Sequence, residues 1–218
     1  MPRNSSTDEI LQILENSEFE RLVGMIENES FDCKSSPYQL DSNNQKFEMA
    51  KDVCAFANAN GGIILIGART HRSDVHSEDE IYEANLVPRN LVNFEQYLAI
   101  IDAQTFPQIE HIEAKWFPSP SDDSRGMVAL IIPKQSEELK PFFLTKPIDG
   151  DAQNPGFIFG YAERRRAGTS HMNIQQFHSQ IKIGSHSSLI TQAAQEIQET
   201  LARVLERLIN QSTKCLTF

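Results

Sequence analysis

Cysteine is scarce in this chain, and so are the patterns that would give it a role. Cys33, Cys54 and Cys215 are three among 218 residues, with no C-x-x-C pair and no histidine at zinc-finger spacing. Free thiols are expected, with neither a disulfide framework nor structural zinc. Long apolar runs are missing too: Ile63-Ile64-Leu65-Ile66 and Ala129-Leu130-Ile131-Ile132 are far too short to cross a bilayer. The start MPRNSSTDE carries no apolar signal-peptide core, so a cytoplasmic protein with no membrane partner is expected. Neither G-x-x-x-x-G-K-[ST] nor G-x-G-x-x-G occurs, which leaves nucleotide hydrolysis without support. Positive charge is also in deficit, with 20 Lys and Arg against 30 Asp and Glu and a formal charge of −10. That balance argues against nonspecific coating of nucleic acid, which draws its affinity from Lys and Arg.

The charge is unevenly spread. Residues 1–50 hold ten acids and four bases, a net of −6, whereas residues 140–183 hold six bases and three acids, a net of +3. A polyanion site is therefore expected in the later half or at a cleft bordering it. Ser6 with Glu9 three residues on forms a capping box before the apolar run Ile10, Leu11, Ile13 and Leu14, so a helix starts there. Phe31 and Cys33 alternate with Asp32 and Lys34 as on a half-buried strand. Residues 45–58 have helical spacing, and Gly61-Gly62 turns that helix into a buried strand over 62–67. The polar run HRSDVHSEDE reads as an exposed loop and residues 90–101 as a helix. Strands are expected over 109–117, 127–132 and 157–161, the first two joined by a connector over 118–123. A helix from Asn173 through Ile181 and a linker over 184–188 follow. Ile190, Ala194, Ile197, Leu201, Val204 and Leu208 are spaced 4, 3, 4, 3 and 4 residues apart. This suits either a coiled coil or an amphipathic helix lying on its own domain.

Three groups of residues carry candidate chemistry. The first is ENESFDCK over 27–34. On a regular strand Glu27 and Glu29 would face away from Asp32 and Lys34, so a bend is needed before Glu27 can meet Asp32. With it, the acids could bind Mg²⁺ or Mn²⁺ while Lys34 steadies a phosphate; without it, the cluster is a solvated acidic edge. The second, AFANANGG at 55–62 followed by IILIG, is a helix, a tight turn and a buried strand. The third is Arg164-Arg165-Arg166 with Lys182, which could line a phosphate groove or pair with the chain's own carboxylates.

Together Asp32-Cys33-Lys34, VCAFANANGG at 53–62, IILIG at 63–67 and Arg166-Ala167-Gly168-Thr169-Ser170 resemble the Schlafen AlbA-type domain family over roughly residues 20–182. The family's pattern runs from Glu-Phe-Lys through Ala-Phe-Ala-Asn-x-x-Gly-Gly to an aliphatic strand closing in Ile-Gly-Val-Asp. The resemblance implies a compact α/β fold and nucleic-acid binding. Some members are metal-dependent ribonucleases that cut structured RNA such as tRNA, using two acids five residues apart and a third after the aliphatic strand. Glu27 and Asp32 match the first two. The third is absent, since Ala68-Arg69-Thr70-His71 follows Gly67 and the next acid is Asp74.

The sequence thus predicts an α/β domain over 1–184, a mixed sheet with flanking helices, and an amphipathic C-terminal extension over 185–218. Homo-oligomerisation is expected through residues 188–212. The leading function is binding of RNA or DNA phosphates through Arg164, Arg165, Arg166 and Lys182. The alternative is a metal-dependent endoribonuclease with Glu27, Asp32 and Lys34 as catalytic residues and Glu29 or Asp74 completing a Mg²⁺ or Mn²⁺ shell. An oligomeric adaptor is the weaker third reading.

Overall fold

Ser6 is the first described residue, and its hydroxyl accepts the Glu9 N–H at 3.2 Å and caps α1, Thr7–Glu15. The computed structural model describes residues 6–72, 78–144, 162–165, 168–171, 181, 194–198, 201 and 203. In chain order there follow β1 (Phe31–Lys34), α2 (Asn43–Asn58), β2 (Gly62–Ile66), β3 (Ala68–Arg72), β4 (Asp79–Ala84), β5 (Val87–Pro88) and α3 (Phe94–Gln104). After these come β6 (Thr105–Phe106), β7 (Glu113–Ser119), β8 (Asp122–Ile132), β9 (Phe143–Leu144), β10 (Ala162–Arg165) and β11 (Gly168–His171).

The main sheet runs β1-β2-β8-β5, with β7 also on β8. β1 is parallel to β2, and every other pairing in the sheet is antiparallel, so the sheet is mixed. Its two faces build two cores from one alternation. Ile64, Ile66, Val128, Leu130 and Ile132 pack with α2 and α3, while Phe31, Cys33, Ile63, Leu65, Met127 and Ala129 pack with α1 and Phe19. β2 is buried on both faces, which is why it reads as an unbroken aliphatic run.

The AFANANGG block provides the joint between α2 and this sheet. Gly61 has φ +77°, and a Cβ there would lie 2.5 Å from the Ile132 carbonyl oxygen, so only glycine lets the turn pass so close to the end of β8. Asn58, at the last turn of α2, accepts the Phe142 N–H at 2.7 Å and donates to the Phe142 carbonyl at 2.9 Å. It thereby fastens the segment after β8 to the helix.

Several boundaries differ from the sequence reading, and the strand expected over 109–117 starts only at Glu113, since residues 110–111 form a turn with His111 at φ +57°. β8 begins at Asp122, because the β7–β8 ladder continues to Ser119↔Asp122 through a register shift, and its first four residues are polar and exposed. The expected helix over 90–101 starts later, where Asn93 caps it by accepting the Gln96 N–H at 3.0 Å. Part of the expected loop HRSDVHSEDE is strand, since β3 and β4 pair antiparallel and the last residues of β3, His71 and Arg72, are exposed, where polar side chains are tolerated. The expected strand over 157–161 and linker over 184–188 lie outside the described residues, as does the helix over 173–181 apart from helical Ile181. Of residues 188–212, residues 194–198, 201 and 203 are helical and exposed, and the boundary at 184 lies outside the described residues.

Candidate functional site

A tight reversal, not a continuous strand, precedes β1. Asn28 Oδ1 accepts both the backbone N–H and the hydroxyl of Ser30, at 2.8 and 2.9 Å, and Asn28 N–H donates to the Phe31 carbonyl at 3.0 Å. This bend carries Glu27 back along β1, where its Oε1 accepts the Cys33 N–H at 2.9 Å. β1 is the edge of its sheet, and Phe31 and Cys33 direct their backbone groups away from β2. Glu27 takes one of these groups. Arg164 takes another, Nη2 donating to the Phe31 carbonyl at 3.3 Å and Nε to the Asn28 carbonyl at 3.4 Å. Two side chains, the Glu27 carboxyl and the Arg164 guanidinium, therefore cover the sheet edge that backbone pairing leaves open.

On the opposite face of β1 from Phe31 and Cys33, Asp32 meets two cations. Its Oδ1 lies 2.9 Å from Arg164 Nη2 and its Oδ2 lies 2.8 Å from Lys34 Nζ. Lys34 Nζ also lies 3.0 Å from Asp52 Oδ2, which accepts the Tyr38 hydroxyl at 3.0 Å. Beneath this row the Arg164 guanidinium sits over the Phe56 ring, 5.0 Å from its centroid. β10 packs on α2 and so delivers Arg164 to that position.

Burial governs the electrostatics. Glu27, 5 % exposed, has its pKa raised to about 8 by loss of solvent and then by the negative charge of Asp32, so it is largely protonated at neutral pH. Burial alone would lower the Lys34 pKa, but the charges of Asp32 and Asp52 outweigh it and push the ammonium up. Burial raises the Asp52 carboxyl against the pull of Lys34. It also raises the Cys33 thiol, which is therefore no nucleophile at neutral pH.

The structure brings together Glu27, Asp32, Lys34 and Arg164. Glu29 is exposed on the bend. Arg165 lies in β10, while Arg166, Lys182 and Asp74 fall outside the described residues. Asp52 and Tyr38 join the site without having been singled out in the sequence. The available signal was a lone acid among Met49, Ala50, Val53 and Cys54 on the buried face of α2. Among the described residues no three His, Cys, Asp or Glu side chains are grouped to hold a metal ion. As arranged, both Asp32 oxygens face resident cations, so a divalent cation at this carboxylate has to displace Arg164 or Lys34.

Lys34, with a side chain 31 % exposed, reaches the floor of a recess of about 390 Å³ that is also lined by Cys33, Ser35, Arg69, Thr70 and Tyr82. Arg69 holds Glu83 across the β3–β4 hairpin at 2.8 Å, and the exposed Tyr82 ring meets His71 edge-on at 5.4 Å between centroids. The recess thus presents two cations, Lys34 and Arg69, and three hydroxyls, Ser35, Thr70 and Tyr82, beside the buried carboxylates.

Comparison with solved structures gives distant likenesses. The DIP2311 protein from Corynebacterium diphtheriae is 12 % identical at a TM-score of 0.36; the match covers 66 % of this chain and 22 % of that one. The N-terminal domain of a RecG-related protein from Nitrosomonas europaea is 18 % identical at a TM-score of 0.41, with 78 % of this chain and 94 % of that one covered. No curated protein matches the chain. The family model described as Schlafen, AlbA_2 matches residues 27–146, a span that holds the bend, the buried carboxylates, the Gly61 joint and the Asn58 clamp. More than half of the chain lies within that match, and the chain belongs to the Schlafen, AlbA_2 family.

Proposed function

We propose that this protein is a nucleic-acid-binding module that contacts RNA or DNA phosphates through basic side chains and assembles as a homo-oligomer through residues 188–212. The observation that carries this reading is the pairing of Asp32 with both Arg164 and Lys34. A carboxylate so neutralised neither repels a phosphate strongly nor stands ready for a metal. Membership of the Schlafen, AlbA_2 family supports the nucleic-acid assignment. Where the family pattern has an acid after the aliphatic strand, this chain carries Arg69 in a recess with Lys34, a change that favours an anion. Arg164 is buried and committed to Asp32, so phosphate contact falls to Lys34 and Arg69, with Arg165, Arg166 and Lys182 as the remaining basic candidates.

The alternative is cleavage of structured RNA such as tRNA with Mg²⁺ or Mn²⁺. In its favour, the bend does bring the Glu27 carboxyl within electrostatic reach of Asp32. It requires Arg164 to leave Asp32 and Glu27 to lose its proton. Incubating the chain and Asp32→Asn with labelled structured RNA, single-stranded DNA and duplex DNA, in Mn²⁺, Mg²⁺ or EDTA, separates the two. Retention without cleavage, metal-independent and shared by the variant, is the expected result. Metal-dependent cleavage lost in Asp32→Asn establishes the nuclease, and absence of binding at low salt removes both readings and leaves the adaptor.

A further inference from the structure

Ser35, which lines the recess, also lines a second, larger groove of about 800 Å³. One wall is the segment 35–41 after β1 and the other the segment 85–96 leading into α3. The walls are fixed to each other, since Asn85 Nδ2 donates to the Ser35 carbonyl at 2.6 Å and Asn85 N–H to the Gly67 carbonyl at 2.7 Å. The volume is that of a small-molecule site.

The lining chemistry is distinctive. Gln39, Asn90 and Gln96 bring exposed carboxamides to the groove, and no hydrogen bond among the described residues engages these side-chain amides. Leu40 and Leu91 add apolar surface beside them, Leu91 with 60 % of its area exposed. A carboxamide offers a donor and an acceptor side by side, the pattern that matches the edge of a nucleobase, and leucine side chains suit its apolar faces. Other ligand classes fit less well. A bare phosphate would find only Arg125, which already donates to the Leu86 carbonyl. A sugar ring lacks an aromatic platform, because the only aromatic lining residue described is Tyr38, 5 % exposed.

We propose that this groove is a base-binding subsite for single-stranded nucleic acid, holding an unpaired base while an adjacent phosphate lies in the Lys34–Arg69 recess. The inference rests on the nucleic-acid reading and narrows it: a duplex hides its base faces and pairing edges, so only an unpaired nucleotide reaches these amides.

Fluorescence anisotropy with the full chain tests it, using single-stranded RNA and DNA, a duplex, and an abasic strand of equal length over a series of salt concentrations. The double variant Asn90→Ala/Gln96→Ala, and separately Gln39→Ala from the other wall, should weaken single-strand binding about ten-fold. The salt slope should stay unchanged, and abasic-strand binding should be unaffected. All three side chains are exposed, and circular dichroism verifies that the variants fold. Variants that bind every probe as the unaltered chain does, or that lose abasic and base-bearing strands equally, overturn the subsite and leave the nucleic-acid reading standing. If the unaltered chain binds none of the probes at low salt, both fail together.

Discussion

Arg164 Nη2 sits 2.9 Å from Asp32 Oδ1, with the two side chains 3 % and 6 % exposed, so one ion pair ties the β10–β11 hairpin to the first strand of the sheet. Removing either partner leaves the other charged and dry, which typically costs about 3–5 kcal/mol. Lys34 still faces Asp32 when Arg164 is gone, so Arg164→Met should fall near the lower end, at about 3 kcal/mol. Urea denaturation of Arg164→Met, Asp32→Asn and the double variant checks this, and the double variant should lose less than the sum of the singles.

Glu27 keeps its proton in the folded chain at pH values where an unfolded glutamate has lost it, its pKa being about 8 against an ordinary 4.5. Between those values the folded state binds more protons, so stability is lost as pH rises from 4.5 and levels off above 8. Glu27→Gln keeps an oxygen for the Cys33 N–H without the charge. Its melting temperature should match the unaltered chain near pH 4 and exceed it at pH 9. Curves that run parallel across this range would show that Glu27 titrates normally.

Arg69 faces the recess and, among the described residues, pairs only with exposed Glu83, a contact of the class that contributes about 0–1 kcal/mol. Arg69→Ala should leave the melting temperature almost unchanged. It should weaken nucleic-acid binding at low salt and reduce the slope of log K against log salt by about 1. An unchanged slope places the phosphate contacts elsewhere, at Arg165, Arg166 or Lys182.

At Gly61, alanine would meet both a positive φ of 77° and the Ile132 carbonyl oxygen 2.5 Å from its Cβ. Gly61→Ala should destabilise by more than about 1 kcal/mol. An exposed alanine substitution such as Asp102→Ala provides the reference for the same denaturation measurement.

Much of the frame was legible because it follows from local chemistry. Ser6 and Glu9 announce α1, the alternation around Asp32 announces β1, and Gly61-Gly62 marks the joint. What escaped depends on distance along the chain. The need for a bend before Phe31 followed from strand periodicity, but Asn28 as its maker shows only through its bonds to Ser30. The three consecutive arginines read either as a phosphate groove or as partners for the chain's own carboxylates, and Arg164 takes the second course because Asp32, Phe56 and an open strand edge await it. Asp52 was hidden by its neighbours' helical pattern, and its partners Lys34 and Tyr38 come from a different element.

The Asn58 clamp has a consequence for how the chain can vary. By accepting the Phe142 N–H and donating to the Phe142 carbonyl, the amide of Asn58 imitates one rung of a β-ladder. Such a rung reads main chain and is blind to side-chain identity. At position 142 it tolerates any residue that fills the buried volume of Phe142 and forbids only proline, which has no N–H to give. At position 58 the tolerance is inverted: aspartate retains the acceptor and loses the donor, so the exchange most conservative in shape would leave the Phe142 carbonyl facing a carboxylate.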